Sequence, residues 1–313
     1  MKKIFISGHQ GMVGSALIRF LKKDNKPFKL VTRSRSELDL CNQSAVNDFF
    51  ETEKPDVVIN AAAKVGGIYA NKTYPAEFIR DNIFININLI DAAWKFGVSK
   101  FLNLGSSCIY PKNAMQPLSE KALLCGPLES TNAAYALAKI SGLEMCRYYR
   151  KQYGVKFYSA MPTNLYGPGD NYHTENSHVL PALIRRFHEA KINNSKEVCI
   201  WGSGNPRREF LHVDDLAEAL FFLLSIENPP DWINIGTGKD QSILELANLV
   251  KEIIGFKGGI INDTSKPDGT LVKRLNISLL KSLGWTASIS IEQGIVDTYK
   301  DFLESEQKKT LRV

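Results

Sequence analysis

Short apolar runs and amphipathic stretches alternate through the first half of the chain. Residues 3–7, 28–32, 56–61 and 100–105 are short and rich in Ile, Val, Leu and Phe. Between them, apolar positions recur at helical spacing over 11–23, 43–53 and 75–96. Strands covered on both faces are apolar throughout, so the pattern predicts a parallel sheet with helices on both sides. A longer helix is expected over 132–153 and a strand over 156–161. After Pro162 the pattern changes. Residues 162–169 and 202–208 are turn-rich, and shorter helices follow over 179–190, 213–225, 243–254 and 291–304. The expected division is a large α/β unit of residues 1–167, to which 213–235 returns, and a smaller one of 168–212 and 236–313.

Composition narrows the class. The longest strongly apolar run, residues 219–226, is far too short to span a bilayer. The opening Met1-Lys2-Lys3-Ile4-Phe5-Ile6-Ser7-Gly8 runs quickly into a glycine-rich loop and reads as a first strand, not a signal peptide. Cys41, Cys108, Cys125, Cys146 and Cys199 form no CxxC pair, which suggests free thiols in a reducing cytoplasm. A net charge of +6 without a Lys/Arg block suits a phosphorylated small molecule rather than nucleic acid. The end, Lys308-Lys309-Thr310-Leu311-Arg312, reads as a solvated tail. Asp170, His173, Glu175 and His178 have no compact ligand spacing, so no metal is expected.

Two groups carry chemistry. Gly8-His9-Gln10-Gly11-Met12-Val13-Gly14 follows the first strand and opens a helix, the context in which backbone N–H groups cradle a pyrophosphate. Just past the second strand, Arg33 and Arg35 stand where a carboxylate would select NAD, and so favour NADP(H), Arg35 more than Arg33. Tyr135 and Lys139 are four residues apart, one turn of a helix. An ammonium so placed is expected to lower the phenol pKa and ready it for proton exchange with a carbonyl oxygen. Ser106, upstream in Gly105-Ser106-Ser107-Cys108, is a second donor to that oxygen.

With these motifs the chain resembles the extended short-chain dehydrogenase/reductase family, which acts on nucleotide sugars. Further blocks carry the likeness along essentially the whole chain: Ala61-Ala62-Ala63-Lys64-Val65-Gly66-Gly67, Leu104-Gly105-Ser106-Ser107-Cys108-Ile109-Tyr110-Pro111, Met161-Pro162-Thr163-Asn164-Leu165-Tyr166-Gly167-Pro168, Arg208-Glu209-Phe210-Leu211-His212 and Lys266-Pro267-Asp268-Gly269-Thr270. The resemblance implies a Rossmann-type doubly wound sheet with a smaller α/β substrate domain, and a homodimer. The activity it implies is 3,5-epimerisation and NADPH-dependent 4-reduction of a GDP-linked 4-keto-6-deoxy sugar. On this pattern NADP(H) contacts come from Gly8, His9, Gln10, Gly11, Met12, Val13, Gly14, Arg35, Leu104, Gly105, Ser106, Ser107, Lys139, Pro162, Thr163, Asn164, Leu165 and His178. The family often has Arg where this chain has Gln10. Cys108 becomes the base and His178 the acid of epimerisation, beside Ser106, Tyr135 and Lys139. A thiolate there calls for a neighbouring cation. Arg186, Trp201, Arg208 and Asp268 are expected at the GDP end. Sugar 4,6-dehydratases of the family tend to carry Thr-Asp-Glu from the Ser106 position, and this chain has no carboxylate there. A nucleotide-sugar 4-epimerase and a catalytically silent dinucleotide sensor remain open alternatives.

Overall fold

The first ten elements alternate strand and helix except for two consecutive helices after the third strand. They are β1 (Lys2–Ser7), α1 (Met12–Lys23), β2 (Phe28–Val31), α2 (Gln43–Glu53), β3 (Val57–Asn60), α3 (Ile68–Thr73), α4 (Pro75–Lys95), β4 (Lys100–Leu104), α5 (Ala133–Tyr153) and β5 (Lys156–Pro162). Then come β6 (Asn164–Tyr166), α6 (Val179–Ile192), β7 (Glu197–Trp201), β8 (Arg207–His212), α7 (Val213–Ser225), β9 (Trp232–Ile235), β10 (Asp240–Ser242) and α8 (Ile243–Ile254). β11 (Gly259–Asp263), β12 (Val272–Lys273), α9 (Ser278–Ser282) and α10 (Ile291–Gln307) complete the chain. This computed structural model describes residues 1–23, 28–174, 176–266 and 268–313. Glu175 and Pro267, both in motifs singled out above, lie outside the described residues.

Six strands form one parallel sheet in the order β2-β1-β3-β4-β5-β9. Alternate side chains of each strand feed two cores. Ile4, Ile6, Val57, Ile59, Leu102 and Tyr158 pack under α1 and α7, while Phe5, Val58, Phe101 and Phe157 pack under α2, α4 and α5. The chain steps outward from β1 to β2 and then back across to β3. Between β1 and β3 lies a topological switch point, where such sheets bind ligands beyond their carboxyl ends.

A second group of strands stands beside this sheet. β8 pairs with β6, β10 and β12, and β7 pairs with β11. Their apolar faces meet α6, α8 and α10 around Leu183, Phe187, Leu246, Val250 and Phe302. Residues 202–206 are irregular as expected, but Arg207 already belongs to β8. The terminal residues correct the reading of a solvated tail. Lys308 and Lys309 are exposed, yet Leu311 packs on the second core and the Arg312 carbonyl accepts from Tyr172 N–H at 2.8 Å. An apolar residue between cations was enough to anchor it. Among the described residues, no helix is long and apolar enough to cross a membrane.

Candidate active site

The glycine loop turns sharply at Gly8, whose φ of +68° favours a residue without Cβ. A Cβ on Gly14 would lie 2.3 Å from the Gly8 carbonyl oxygen, so α1 can start against the loop only with glycine there. The first N–H groups of α1 have no partner within the helix and point to the carboxyl end of the sheet. His9 Nδ1 in this loop is buried without a hydrogen-bond partner among the described residues. Oriented N–H groups and an orphaned imidazole nitrogen fit the anionic middle of a dinucleotide. Gln10 is exposed beside them. Past β2, Arg33 is committed to Glu53 at 2.5 Å and covers the Phe49 ring, while Arg35 is exposed and makes no ion pair with the described residues.

Beneath the loop runs a buried polar chain that the sequence did not announce. Ser7 Oγ donates to Asn60 Oδ1 at 2.8 Å, and Asn60 Nδ2 donates to Asn103 and Asn86 at 2.9 and 3.2 Å. Asn86 Nδ2 then donates to the Ala138 carbonyl at 2.9 Å. Gly142 leaves the space, since a Cβ there would meet Asn86 Nδ2 at 2.6 Å. Amides buried this way must be bonded, and these bonds fix the turn of α5 that carries Lys139.

Lys139 Nζ donates to the Leu104 carbonyl at 2.8 Å and sits 5.7 Å from the Tyr135 ring centroid. Burial brings its pKa down to about 8, opposed by the neighbouring Cys108. The Tyr135 pKa runs opposite to the sequence expectation. Burial pushes it up, and Cys108 adds to the rise. The ammonium is drawn to a backbone carbonyl, and desolvation of the phenolate outweighs a cation one turn away.

Gly105, Ser106, Ser107 and Cys108 follow β4 directly. Gly105 must be small, because a Cβ would meet Met161 Sδ at 2.2 Å. Ser106 Oγ accepts from Cys108 N–H at 3.3 Å and opens a 3-10 turn over Ser107–Ile109. The Cys108 thiol is buried, which raises its pKa; the strongest influence lowering it is Lys273, followed by the Ser106 hydrogen bond and Lys139. Pro162, Thr163, Asn164 and Leu165 run from the end of β5 into β6, with Asn164 Nδ2 bonded to the Glu209 carbonyl at 2.7 Å.

His178 is the residue before α6 and is exposed, yet surrounding protein lowers its pKa and Lys273 lowers it further. The loop before it is stitched to the turn after β3, where Gly67 N–H donates to the Asn176 carbonyl at 3.2 Å. Lys273, on β12, therefore acts on both Cys108 and His178. Sequence reasoning missed it. No local motif marks it, and β12 is only two residues long.

The residues expected at the GDP end form a separate cluster on the second group of strands. The Trp201 indole is 60% exposed, with Arg186 Cζ 5.2 Å and Lys266 Nζ 5.7 Å from its ring centroid. Arg208 Nη1 donates to the carbonyls of Thr270 and Arg207 at 2.5 and 2.8 Å, which aims the rest of the guanidinium. Asp268 accepts from Ser203 N–H and Oγ at 2.9 and 2.7 Å, closing the turn after β7. Lys266, not expected at this site, is the third member of the Trp201 cluster.

Sheet order, glycine loop and Tyr–Lys helix together define a nucleotide-dependent oxidoreductase fold, and the chain belongs to the NAD dependent epimerase/dehydratase family, whose profile matches residues 4–236. Within the family it is 58% identical to a putative GDP-L-fucose synthase 2 of Arabidopsis thaliana, over 98% of this chain and 93% of that protein. It is 51% identical to the GDP-L-fucose synthase of Escherichia coli K12, over 98% of both. The crystal structure of a GDP-L-fucose synthetase from Naegleria fowleri bound to NADP is similar in fold, with a TM-score of 0.90 and 30% identity. The match covers 98% of this chain and 95% of that one.

Proposed function

We propose that this protein converts GDP-4-keto-6-deoxy-D-mannose to GDP-L-fucose, by epimerisation at C3 and C5 and NADPH-dependent reduction at C4. One observation carries the reading. The Cys108 thiol lies close enough to Tyr135 and Lys139 for its charge to act on both. A proton-transferring sulfur and a carbonyl-reducing pair therefore serve one substrate. The names of the relatives and the NADP of the Naegleria structure support the same reading.

The loop Gly8, His9, Gln10, Gly11, Met12, Val13 and Gly14 would hold the NADPH pyrophosphate, and Arg35 its 2′-phosphate. Leu104, Gly105, Ser106, Ser107, Lys139, Pro162, Thr163, Asn164, Leu165 and His178 would surround the nicotinamide end, which supplies hydride for C4 when bound. The C4 ketone acidifies C3–H and C5–H, because loss of either proton places charge on the C4 oxygen. Ser106 and Tyr135 donate to that oxygen during enolisation and again when it becomes an alkoxide. The raised Tyr135 pKa keeps the phenol protonated at neutral pH, the form needed to deliver a proton. Cys108 takes the proton from carbon and His178 returns one from the other face. A lowered pKa makes the protonated imidazole a stronger acid.

The GDP end belongs to Arg186, Trp201, Arg208 and Asp268. Guanidinium groups suit phosphate, the indole suits a base, and each Asp268 oxygen keeps a lone pair for a ribose hydroxyl. In this reading residues 1–167 and about 213–235 bind the cofactor, and 168–212 with 236–313 bind the sugar nucleotide. The protein works in the cytoplasm as a homodimer. The dimer face is α4 and α5, where Phe84, Ile87 and Trp94 on one helix and Leu137 and Tyr148 on the other are 37–53% exposed. Incubation with the keto sugar and NADPH tests the activity. Stoichiometric NADPH loss with GDP-L-fucose as product is expected. A 4-epimerase would leave NADPH unchanged, a silent sensor would leave both compounds unchanged, and either outcome would overturn the proposal.

A further inference from the structure

A buried thiol is a poor base unless a cation stabilises its charged form, and the residues beside Cys108 in sequence supply none. The structure brings one from β12. Lys273 stands opposite Arg208 in the parallel β12–β8 ladder. The residues that follow lock the strand to the wall behind Cys108. Arg274 N–H donates to Gln116 Oε1 at 3.0 Å, the Arg274 carbonyl accepts from Leu118 N–H at 2.7 Å, and Leu275 N–H donates to the buried Glu209 carboxylate at 2.7 Å. The Leu275 side chain packs with Ile109, Tyr110 and Ile140, next to the Cys108 turn and the Lys139 helix. Lys273 thus ends a strand whose next residues are pinned against the Cys108 turn.

The Lys273 ammonium makes no hydrogen bond or ion pair with the described residues, although the residue is half-buried. The acid acting on it, Glu129, is already paired with Lys112 at 3.1 Å. The groups facing Cys108 are Lys273 from β12, Tyr135 and Lys139 from α5, and Ser106 from its own turn. Those acting on Lys273 are Cys108, Arg208 from β8 and Glu129 from the turn before α5.

We propose that Lys273 is a positioning residue for epimerisation, whose ammonium stabilises the Cys108 thiolate. The proposal rests on the reading of Cys108 as the base. The thiol proton leaves to solvent before reaction. The sulfur lone pair then takes the proton from C3 or C5, and the C–H electron pair becomes the enolate on the C4 oxygen.

The test reads the sulfur directly. Alkylation of Cys108 by iodoacetamide, followed by peptide mass spectrometry on the full-length protein without cofactor or sugar, is measured against pH. The chains compared are the native protein, Lys273→Met, Lys273→Gln and Lys273→Arg. Both neutral variants should modify Cys108 several-fold more slowly near pH 7.5, with the profile displaced to higher pH, while Lys273→Arg keeps the native profile. Solvent-deuterium incorporation into the keto sugar should fall in the neutral variants and recover as pH is raised. A native alkylation profile in both neutral variants would overturn the proposal; with a raised KM, it would leave Lys273 as a phosphate contact alone. Undiminished deuterium exchange in Cys108→Ser would instead remove Cys108 as the base and leave the measured coupling standing.

Discussion

Tyr135 and Lys139 stand one turn apart on a single helix, whereas Cys108, His178 and Lys273 come from the turn after β4, the start of α6 and β12. Helix pitch alone sets the spacing of the first pair. The second group exists only because the strands around β8 are packed against the sheet and the loop before His178 is tied to the turn after β3. The proposed redox half of the site is therefore local, and the proposed epimerase half is an assembly. Burial reshapes both. It raises the Tyr135 and Cys108 pKa values and lowers those of Lys139, Lys273 and His178, so every member is moved toward its neutral form.

The largest test of this contrast removes the local donor. Tyr135→Phe should slow NADPH oxidation by roughly 10²–10⁴-fold while NADPH still binds. Turnover within tenfold of native would show that the phenol is not the proton donor. Next comes the assembled half. Cys108→Ser should cut deuterium incorporation at C3 and C5 by roughly 10²-fold, and reduction of an already epimerised ketone much less. Equal loss of both steps would erase the distinction between the two halves. Arg208→Ala acts further out and should raise KM for the sugar nucleotide by roughly 10- to 100-fold with kcat little changed, as loss of a charged hydrogen bond predicts. A fall confined to kcat would move Arg208 from binding to chemistry.

The smallest expected effect concerns the packing that supports the assembly. Asp170 is buried near the anchored C-terminal residues, with Oδ2 unpartnered among the described residues, and burial raises its pKa to about 7. Its folded-state pKa is above the unfolded value, so its contribution to stability is complete below the ordinary carboxyl pKa. That contribution is lost as pH rises through about 7. Asp170→Asn should therefore gain on the native protein between about pH 4 and pH 7 and hold that advantage above, seen as a rise in Tm over the native protein that grows across that range. A constant difference across that range would show that Asp170 does not titrate with folding.

Much of the fold was legible because its signals are short-ranged. The strands of the first half are continuous apolar runs, the glycine loop directly follows β1, and Pro75 and Gly154 mark a helix start and a helix end. The two-residue β12 and the six-residue helix α3 carry too few residues for a periodic signal, and the pairing of β7 with β11 joins segments far apart in sequence. Asp268 and Arg208 could be singled out by residue type, but not the Ser203 turn that Asp268 closes or the carbonyls that aim Arg208. The amide chain through Asn60, Asn86 and Asn103 was equally silent, since an asparagine near a strand end or within a helix gives no sign of being buried.

By itself the sequence determined the alternating strands and helices, the glycine loop and the Tyr135–Lys139 pair, all set by backbone sterics and helical spacing over a few residues. Tertiary structure alone decided the direction in which the Tyr135 pKa moved and which cation acts most strongly on Cys108. Desolvation depends on everything packed around a group, and electrostatic neighbours are chosen by distance in space, so Lys273 could meet Cys108 only once β12 had been laid against β8.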